Sequence, residues 1–561
     1  MKPSQLAVAV AAVLLLGAAY LFVRGDGGPS SDGGGAGPQA PEGAVVVPFA
    51  YSPEKEKLLK PLIARFNAEG RRVGQAPVFI EGQSIASGEA EAKIARGRLR
   101  PVAWSPASSL WGRLLNFEAD RSYAAKDNPS IVRTPVVIAM WEPLAKALGY
   151  PRRKVGYDDI LRLATSKRGW AAVGAPQFGP FKLVHTNPDF STSGLSAVVS
   201  EYYSATGKKE GLTEADVENS AARSKVRGIE RSIVHYGDTT LFIADQMRRQ
   251  GIGYTSAVTM EEVTLLDFNR NRGSQPKLVA VYPEEGTFYS DNPLITLDAP
   301  WVSPEEREGA KLFERFLGEE VTPRLAAESG FRPGDVQVPP EPPLTQENGV
   351  DPAKPTRVLG LPEPRVLDRI RRAWREDRKP ANVLLVLDTS GSMAAENRLE
   401  EAKRGLETFF REVSPNDRVG LTAFSDQVRP LVSITPFRRG RGKLRSAVTD
   451  LFADGGTAVF DATDEAVRSV QALRDRRRIN AVVVLTDGED TDSSVNVEQV
   501  AKAVDQGDSS NRVRVFTIAY SAEADGAADG LERIAVASGG KAYTGDTEDI
   551  EAVYRSISSF F

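Results

Sequence analysis

Asp388-Thr389-Ser390-Gly391-Ser392-Met393 places a carboxylate and two hydroxyls at alternate positions. The run before it, Asn382-Val383-Leu384-Leu385-Val386-Leu387, is short, apolar and rich in β-branched residues. Such a run predicts a buried strand of a parallel sheet. Its carboxyl end then presents Asp388, Ser390 and Ser392 where open α/β sheets bind ligands. Hard oxygen donors without His or Cys suit Mg²⁺, Mn²⁺ or Ca²⁺ rather than zinc or copper. Two more polar stretches fall at predicted strand ends or adjacent loops. Asp454-Gly455-Gly456-Thr457 is a Gly turn with a hydroxyl that runs into a helix. Thr486-Asp487-Gly488 closes the apolar strand Ile479 to Leu485. Asp388, Ser390 and Ser392, then Thr457, then Asp487 thus sit where strand ends or adjacent loops should converge. Glu489, Asp490 and Asp492 follow without meeting the calcium-loop consensus, and read as a solvated acidic rim.

The elements that must position these residues span 381–561. A helix from Leu399 to Val413 has one apolar face, and strands follow at Asp417 to Phe424 and Gln427 to Ile434. A helix from Lys443 to Phe452 precedes the Gly turn. Strands at Val513 to Tyr520 and Lys541 to Thr544 and a last helix from Ile550 complete a doubly wound sheet with helices on both faces. The three stretches together resemble the metal-ion-dependent adhesion site of von Willebrand factor A domains. That resemblance implies direct coordination by the Ser390 and Ser392 hydroxyls and, with a ligand bound, by Thr457. It implies that Asp388 and Asp487 act through water or hydrogen bonds, and that a Glu or Asp of a protein partner takes the open position.

Residues 44–337 alternate strand-like and helix-like segments, an α/β pattern. Ser52-Pro53-Glu54 reads as a helix start. His185 to Leu195 is rich in hydroxyls and Gly and runs into a helix, a natural seat for an anion or polar ligand. This segment, Trp104 to Ser109, and the strand Pro135 to Met140 running into Glu142-Pro143-Leu144-Ala145 resemble type II periplasmic solute-binding proteins. The resemblance implies two lobes around a cleft lined by Ser52, Ser108, Ser109, Thr192, Ser193 and Gly194. It admits a small-molecule or oxyanion ligand.

Composition bounds the rest. The chain of 561 residues has 41% apolar residues, 26% charged residues and a net charge of −4, which suggests neither a nucleic-acid partner nor an acidic tail. It has no cysteine, which removes disulfides and cysteine-based chemistry, and only two histidines, which weigh against a multi-His metal site. Leu6 to Val23 is an uncharged apolar run of about 27 Å as a helix, enough to span a bilayer. Residues 1–25 read as a signal anchor, or as a signal peptide cleaved near Gly17-Ala18-Ala19; either places the rest outside the cytoplasm. Residues 26–43 form a Gly/Pro/Ser-rich tether, and 338–380 a Pro-rich linker with a basic amphipathic helix from Pro364 to Arg378. That helix is expected to pack on the domain after it, with a membrane-surface role as the alternative.

Three functions remain open. The first is a membrane-anchored extracytoplasmic binding protein that holds a protein partner through Mg²⁺ (or Mn²⁺ or Ca²⁺), with the first domain as sensor or scaffold. The second is a solute-binding component that serves a permease. The third is a metal-dependent enzyme or chelatase-like subunit, against which stands the lack of a nucleophile–base pair or phosphate loop in the sequence.

Overall fold

The chain as far as residue 337 builds two sheets that share their connections. In the first sheet, β1 (Val45–Tyr51), β2 (Arg72–Val73), β3 (Ala76–Ser84) and β4 (Ala103–Ser105) run in the order β4-β1-β3-β2. β1 is parallel to both β3 and β4. The chain then crosses to a second sheet, made of β5 (Val132–Trp141), β6 (Leu183–Thr186), β7 (Ile233–Gly237), β8 (Ala257–Glu261), β9 (Leu278–Val281) and β10 (Tyr289–Ser290). It returns in β11 (Ile295–Thr296), antiparallel to β4. A last short strand, β12 (Arg332–Pro333), pairs with β5. The first sheet is covered by α1 (Glu56–Glu69) and by a helix over Pro304–Glu320. Phe49, Phe66 and Phe313 meet edge-on there and form part of a separate core.

The structure is a computed structural model that describes residues 39–505, 512–520, 525–545 and 550–561. The expected membrane segment, residues 1–25, and the tether through residue 38 lie outside the described residues. Among the described residues no helix is long and apolar enough to cross a membrane.

The C-terminal region is one six-stranded sheet. Its strands are β13 (Ala381–Asp388), β14 (Arg418–Phe424), β15 (Val428–Pro436), β16 (Ile479–Thr486), β17 (Val513–Tyr520) and β18 (Ala542–Gly545), in the order β15-β14-β13-β16-β17-β18. Every neighbouring pair is parallel except β14 with β15. The two-residue period of the strands sends alternate side chains to opposite faces. Leu384, Val386, Val482 and Val484 join a core with Val467 and Ile534, while Val383, Leu385 and Leu387 join one with Leu406, Phe409 and Tyr554. Both faces of the central strands are thus buried, which is why the sequence reads there as unbroken apolar runs.

The basic helix, α6 (Pro364–Asp377), departs from expectation. It packs on the first region instead of the sheet that follows. Its neighbours are α2 (Leu110–Ala119), α3 (Thr192–Thr206), a short helix Glu214–Glu218, here α4, and α5 (Ser220–Glu230). Its apolar stripe, from Val366 through Ile370 to Trp374, is buried. The arginines around that stripe find acids on the first region. Arg371 donates to Asp189 Oδ1 at 2.9 Å and to Glu118 Oε1 at 2.8 Å, and Arg375 to Asp189 Oδ2 at 2.7 Å. Arg223 donates to Asp377 at 2.6 Å. Those partners are far away in sequence, so periodicity could not reveal which side the helix would choose.

Residues 40–561 form one unit. The first region meets the amino ends of the C-terminal strands. Lys379, just before β13, donates to Ile233 O at 2.7 Å. Arg512, just before β17, donates to Gln250 at 3.0 Å, and Lys541, just before β18, pairs with Asp238 at 2.6 Å. Phe560 completes the seam, 5.1 Å from the Phe242 ring and accepting the Tyr236 N–H at 3.4 Å.

Candidate metal centre

β13 ends at Asp388, and a 3-10 segment over Gly391–Asn397 follows. Asp388 is fully buried; its Oδ1 accepts the Ser390 N–H at 2.7 Å and its Oδ2 accepts the Thr486 hydroxyl. The Ser390 and Ser392 hydroxyls lie 2.9 Å apart. Ser392 Oγ donates to Asp487 Oδ1 at 2.7 Å. A Cβ built on Gly488 would stand 3.7 Å from the Ser392 hydroxyl and 3.8 Å from that of Thr457. The structure therefore brings all five predicted residues together, from three chain segments, at the carboxyl ends of β13 and β16.

The donor set fits a hard divalent cation. The oxygen–oxygen separations of 2.7 and 2.9 Å lie close to the ~3 Å edge of an octahedron with ~2.1 Å bonds. His and Cys are absent from it. Burial raises the Asp388 carboxyl to about 6; hydrogen bonds from Thr486 and Ser390 oppose that rise and nearby Asp487 adds to it. A cation beside these two carboxylates would offset that cost of burial.

The parts that Thr486, Arg398, Thr491 and Asp492 play around the site depend on partners that only the fold supplies. Thr486 orients Asp388 through its hydroxyl. Arg398 is buried and donates from Nη1 to Asp487 Oδ2 at 3.0 Å. It opens helix α7 (Arg398–Glu412), one residue before the apolar stripe that starts at Leu399. Thr491 and Asp492 fix the Thr457 loop: both accept the Thr457 N–H, at 3.0 and 2.9 Å, and both donate their own N–H to Thr457 O. Asp490 accepts the Ser493 hydroxyl, which in turn accepts the N–H groups of Phe460 and Asp461 at the start of helix α8 (Val459–Ala472). The expected solvated rim is thus in part a set of ties that hold the Thr457 loop. They also explain the paired glycines. Gly455 has φ +83°, and a Cβ on Gly456 would lie 1.9 Å from the Asp492 carboxylate.

The residues expected to line a solute cleft are only partly gathered. Ser52 and Thr192 line a cavity together with Glu54, Asp238, Thr240 and Glu261. Ser108, Ser109, Ser193 and Gly194 are not among its lining residues. The Ser52 hydroxyl is engaged by Glu54 and the buried Lys55, and Thr192 Oγ1 accepts the Trp111 indole N–H at 2.7 Å. Ser108 Oγ accepts the Leu110 N–H at 3.4 Å, and the Ser109 N–H donates to Asp291 at 2.7 Å. The Ser193 and Thr186 hydroxyls are 2.9 Å apart. Gly194 packs bare against the Thr186 carbonyl, where a Cβ would stand 2.0 Å from the oxygen. Three carboxyl groups line the cavity and, among the described residues, neither Lys nor Arg does. Burial pushes the Glu261 carboxyl up, with Glu54 adding to it. Such a wall is a poor seat for an oxyanion.

The strand order and the converging polar loops define a class for this region. Residues 382–555 match the von Willebrand factor type A domain and form a domain of that family. Over a longer stretch the chain is 23% identical across 462 residues to two uncharacterized proteins of Mycobacterium tuberculosis, from strains CDC 1551 / Oshkosh and ATCC 25618 / H37Rv. The match covers 79% of this chain and 64% of each relative, so the chain spans less than two thirds of their length. An inter-alpha-trypsin inhibitor heavy chain H4 of Sus scrofa is 26% identical over 130 residues, 22% of this chain and 14% of that protein. Among solved structures, a von Willebrand factor type A protein from Catenulispora acidiphila is 20% identical, with a TM-score of 0.29, over 32% of this chain and 42% of that one.

Proposed function

We propose that this protein is an extracytoplasmic binding protein, anchored by its N-terminal apolar segment, that holds a protein partner through a Mg²⁺-dependent adhesion site. The observation that carries this reading is the convergence of Asp388, Ser390, Ser392, Thr457 and Asp487 at one pole of the C-terminal sheet. Mg²⁺, or Mn²⁺ or Ca²⁺ in its place, would supply a Lewis-acidic position for a partner's Glu or Asp. Ser390, Ser392 and Thr457 offer neutral hydroxyls; Asp487 accepts the Ser392 hydroxyl, and Asp388 accepts the Ser390 backbone N–H and so fixes the turn that carries the two serines. That chemistry is binding rather than catalysis. The first region serves as the platform, and its acid-lined cavity favours a small cation or amine over an oxyanion if it takes a solute. The remaining transport reading rests on that cavity alone.

Isothermal calorimetry of Mg²⁺ binding tests the site. The wild-type chain should take up about one Mg²⁺, and Asp388→Ala should take up none. Equal uptake by both would overturn the assignment.

A further inference from the structure

A second cluster lies in the first region, under helix α6. His185 at the end of β6, Glu201 on α3 and Glu230 at the end of α5 are all essentially inaccessible, at 0%, 1% and 0% exposure. Each points a ligating atom into one space, and those atoms lie within 4.8 Å of one another.

The hydrogen bonds are those of a ligand set. His185 Nδ1 lies 2.7 Å from the Thr186 carbonyl, which can only accept. Nδ1 therefore carries the proton, and in the neutral ring Nε2 presents a lone pair. That lone pair faces Glu230 Oε1 at 2.9 Å. Two acceptors at that distance need a cation between or beside them, either a proton or a metal ion. Glu230 Oε2 is turned away and accepts from the Tyr236 hydroxyl and from the Trp374 indole N–H at 3.2 Å, so Oε1 is left aimed inward. Both oxygens of Glu201 are buried and lack a hydrogen-bond partner. An orphaned buried carboxylate is expensive unless something charged is there to meet it.

We propose that His185, Glu201 and Glu230 form a second metal centre, which holds a divalent transition-metal cation of the Mn²⁺ to Zn²⁺ series. One imidazole and two carboxylates suit such an ion better than the all-oxygen site at Asp388 does. The charge balances, since two carboxylates and a neutral imidazole meet a +2 ion. The Thr186 carbonyl on Nδ1 and the Tyr236 and Trp374 donors on Glu230 are the outer contacts that fix ligand orientation at metal sites. Burial and the neighbouring Glu230 carboxylate push the Glu201 carboxyl far above the usual range. The centre also joins the two halves of the molecule. Tyr236 accepts the Lys379 N–H at 3.1 Å, two residues before β13, and Trp374 belongs to α6.

The test isolates this centre from the one at Asp388. Asp388→Asn protein, expressed with zinc in the medium and dialysed, should retain about one Zn²⁺ per chain. Adding Glu201→Gln should lower retained zinc about tenfold or more. X-ray absorption at the zinc edge should show one imidazole nitrogen among oxygen ligands. That spectrum decides the question if the double variant fails to fold. No retained zinc, equal zinc in the double variant, or a spectrum without imidazole would overturn the proposal and would show that the cluster is held by protons. None of these results touches the Mg²⁺ site, which is measured in wild-type protein.

Discussion

At the residue scale, Asp388 carries a cost of burial that a cation would relieve. It is fully buried, and burial raises its carboxyl to about 6. In chelator near neutral pH its charge therefore costs stability, on the order of 1–3 kcal/mol. Asp388→Asn keeps the shape and removes the charge. The variant should be more stable than wild type in chelator and should lose the stabilisation that Mg²⁺ gives wild type. Thermal denaturation with and without Mg²⁺ checks both, and a variant that is less stable in chelator and still responds to Mg²⁺ would contradict them. Thr457→Ala should leave the metal-free fold within about 1 kcal/mol of wild type, because the loop is held by backbone bonds to Thr491 and Asp492. That these five residues gather in one place was legible because each sits beside a local signal, a strand end or a Gly turn. Arg398, Thr486 and Asp492 were not, because their role depends on a partner that only the fold supplies.

At the scale of elements, helix α6 is the joint of the molecule. Asp189 receives Arg371 and Arg375, at 2.9 and 2.7 Å. Burial alone would raise its carboxyl, but Arg375 and Arg371 outweigh it and hold it below the usual range. A depressed carboxylate contributes stability above its unfolded pKa of about 4 and loses it as pH falls through the folded value. The clamp should therefore hold at neutral pH and release in acid below about 4. Trp374 fluorescence and hydrogen exchange over residues 364–377 would report the release. Asp189→Asn leaves Arg371 buried without its full set of charges and should cost about 3–5 kcal/mol at pH 7. A cost below about 1 kcal/mol would show that the apolar stripe alone seats the helix. The helix itself was plain from the spacing of Val366, Ile370 and Trp374. Its seat was not, because Glu118 and Asp189 lie in other elements far back in the chain. The segment His185 to Leu195 shows the same limit. Its polar residues suggest a ligand loop, yet Asn187 donates to Ser559 O at 3.2 Å and Asp189 binds α6, so much of that polarity is spent on the joint.

At the scale of the whole molecule, the seam and the candidate metal centre sit at opposite ends of the same strands. The first region meets the amino ends of β13, β17 and β18. Seven steps along β13 then carry the chain about 23 Å to Asp388. The candidate centre thus faces away from the platform. Phe560 packs against both halves, 4.8 Å from Phe516 and 5.1 Å from Phe242. Phe560→Ala should cost about 3–5 kcal/mol, and calorimetry should resolve the unfolding of the C-terminal domain from that of the first region; a single unshifted transition would count against a stabilising seam. The alternation of strands and helices announced the sheets on both sides, but the seam was illegible, because each of its contacts joins segments more than a hundred residues apart. The most direct test of the account is capture of envelope proteins on the purified chain in Mg²⁺, in chelator, and with Asp388→Ala in Mg²⁺. The account predicts a partner retained by wild type in Mg²⁺ alone and released by chelator. The same partner retained in chelator, or retained equally by Asp388→Ala, would contradict it.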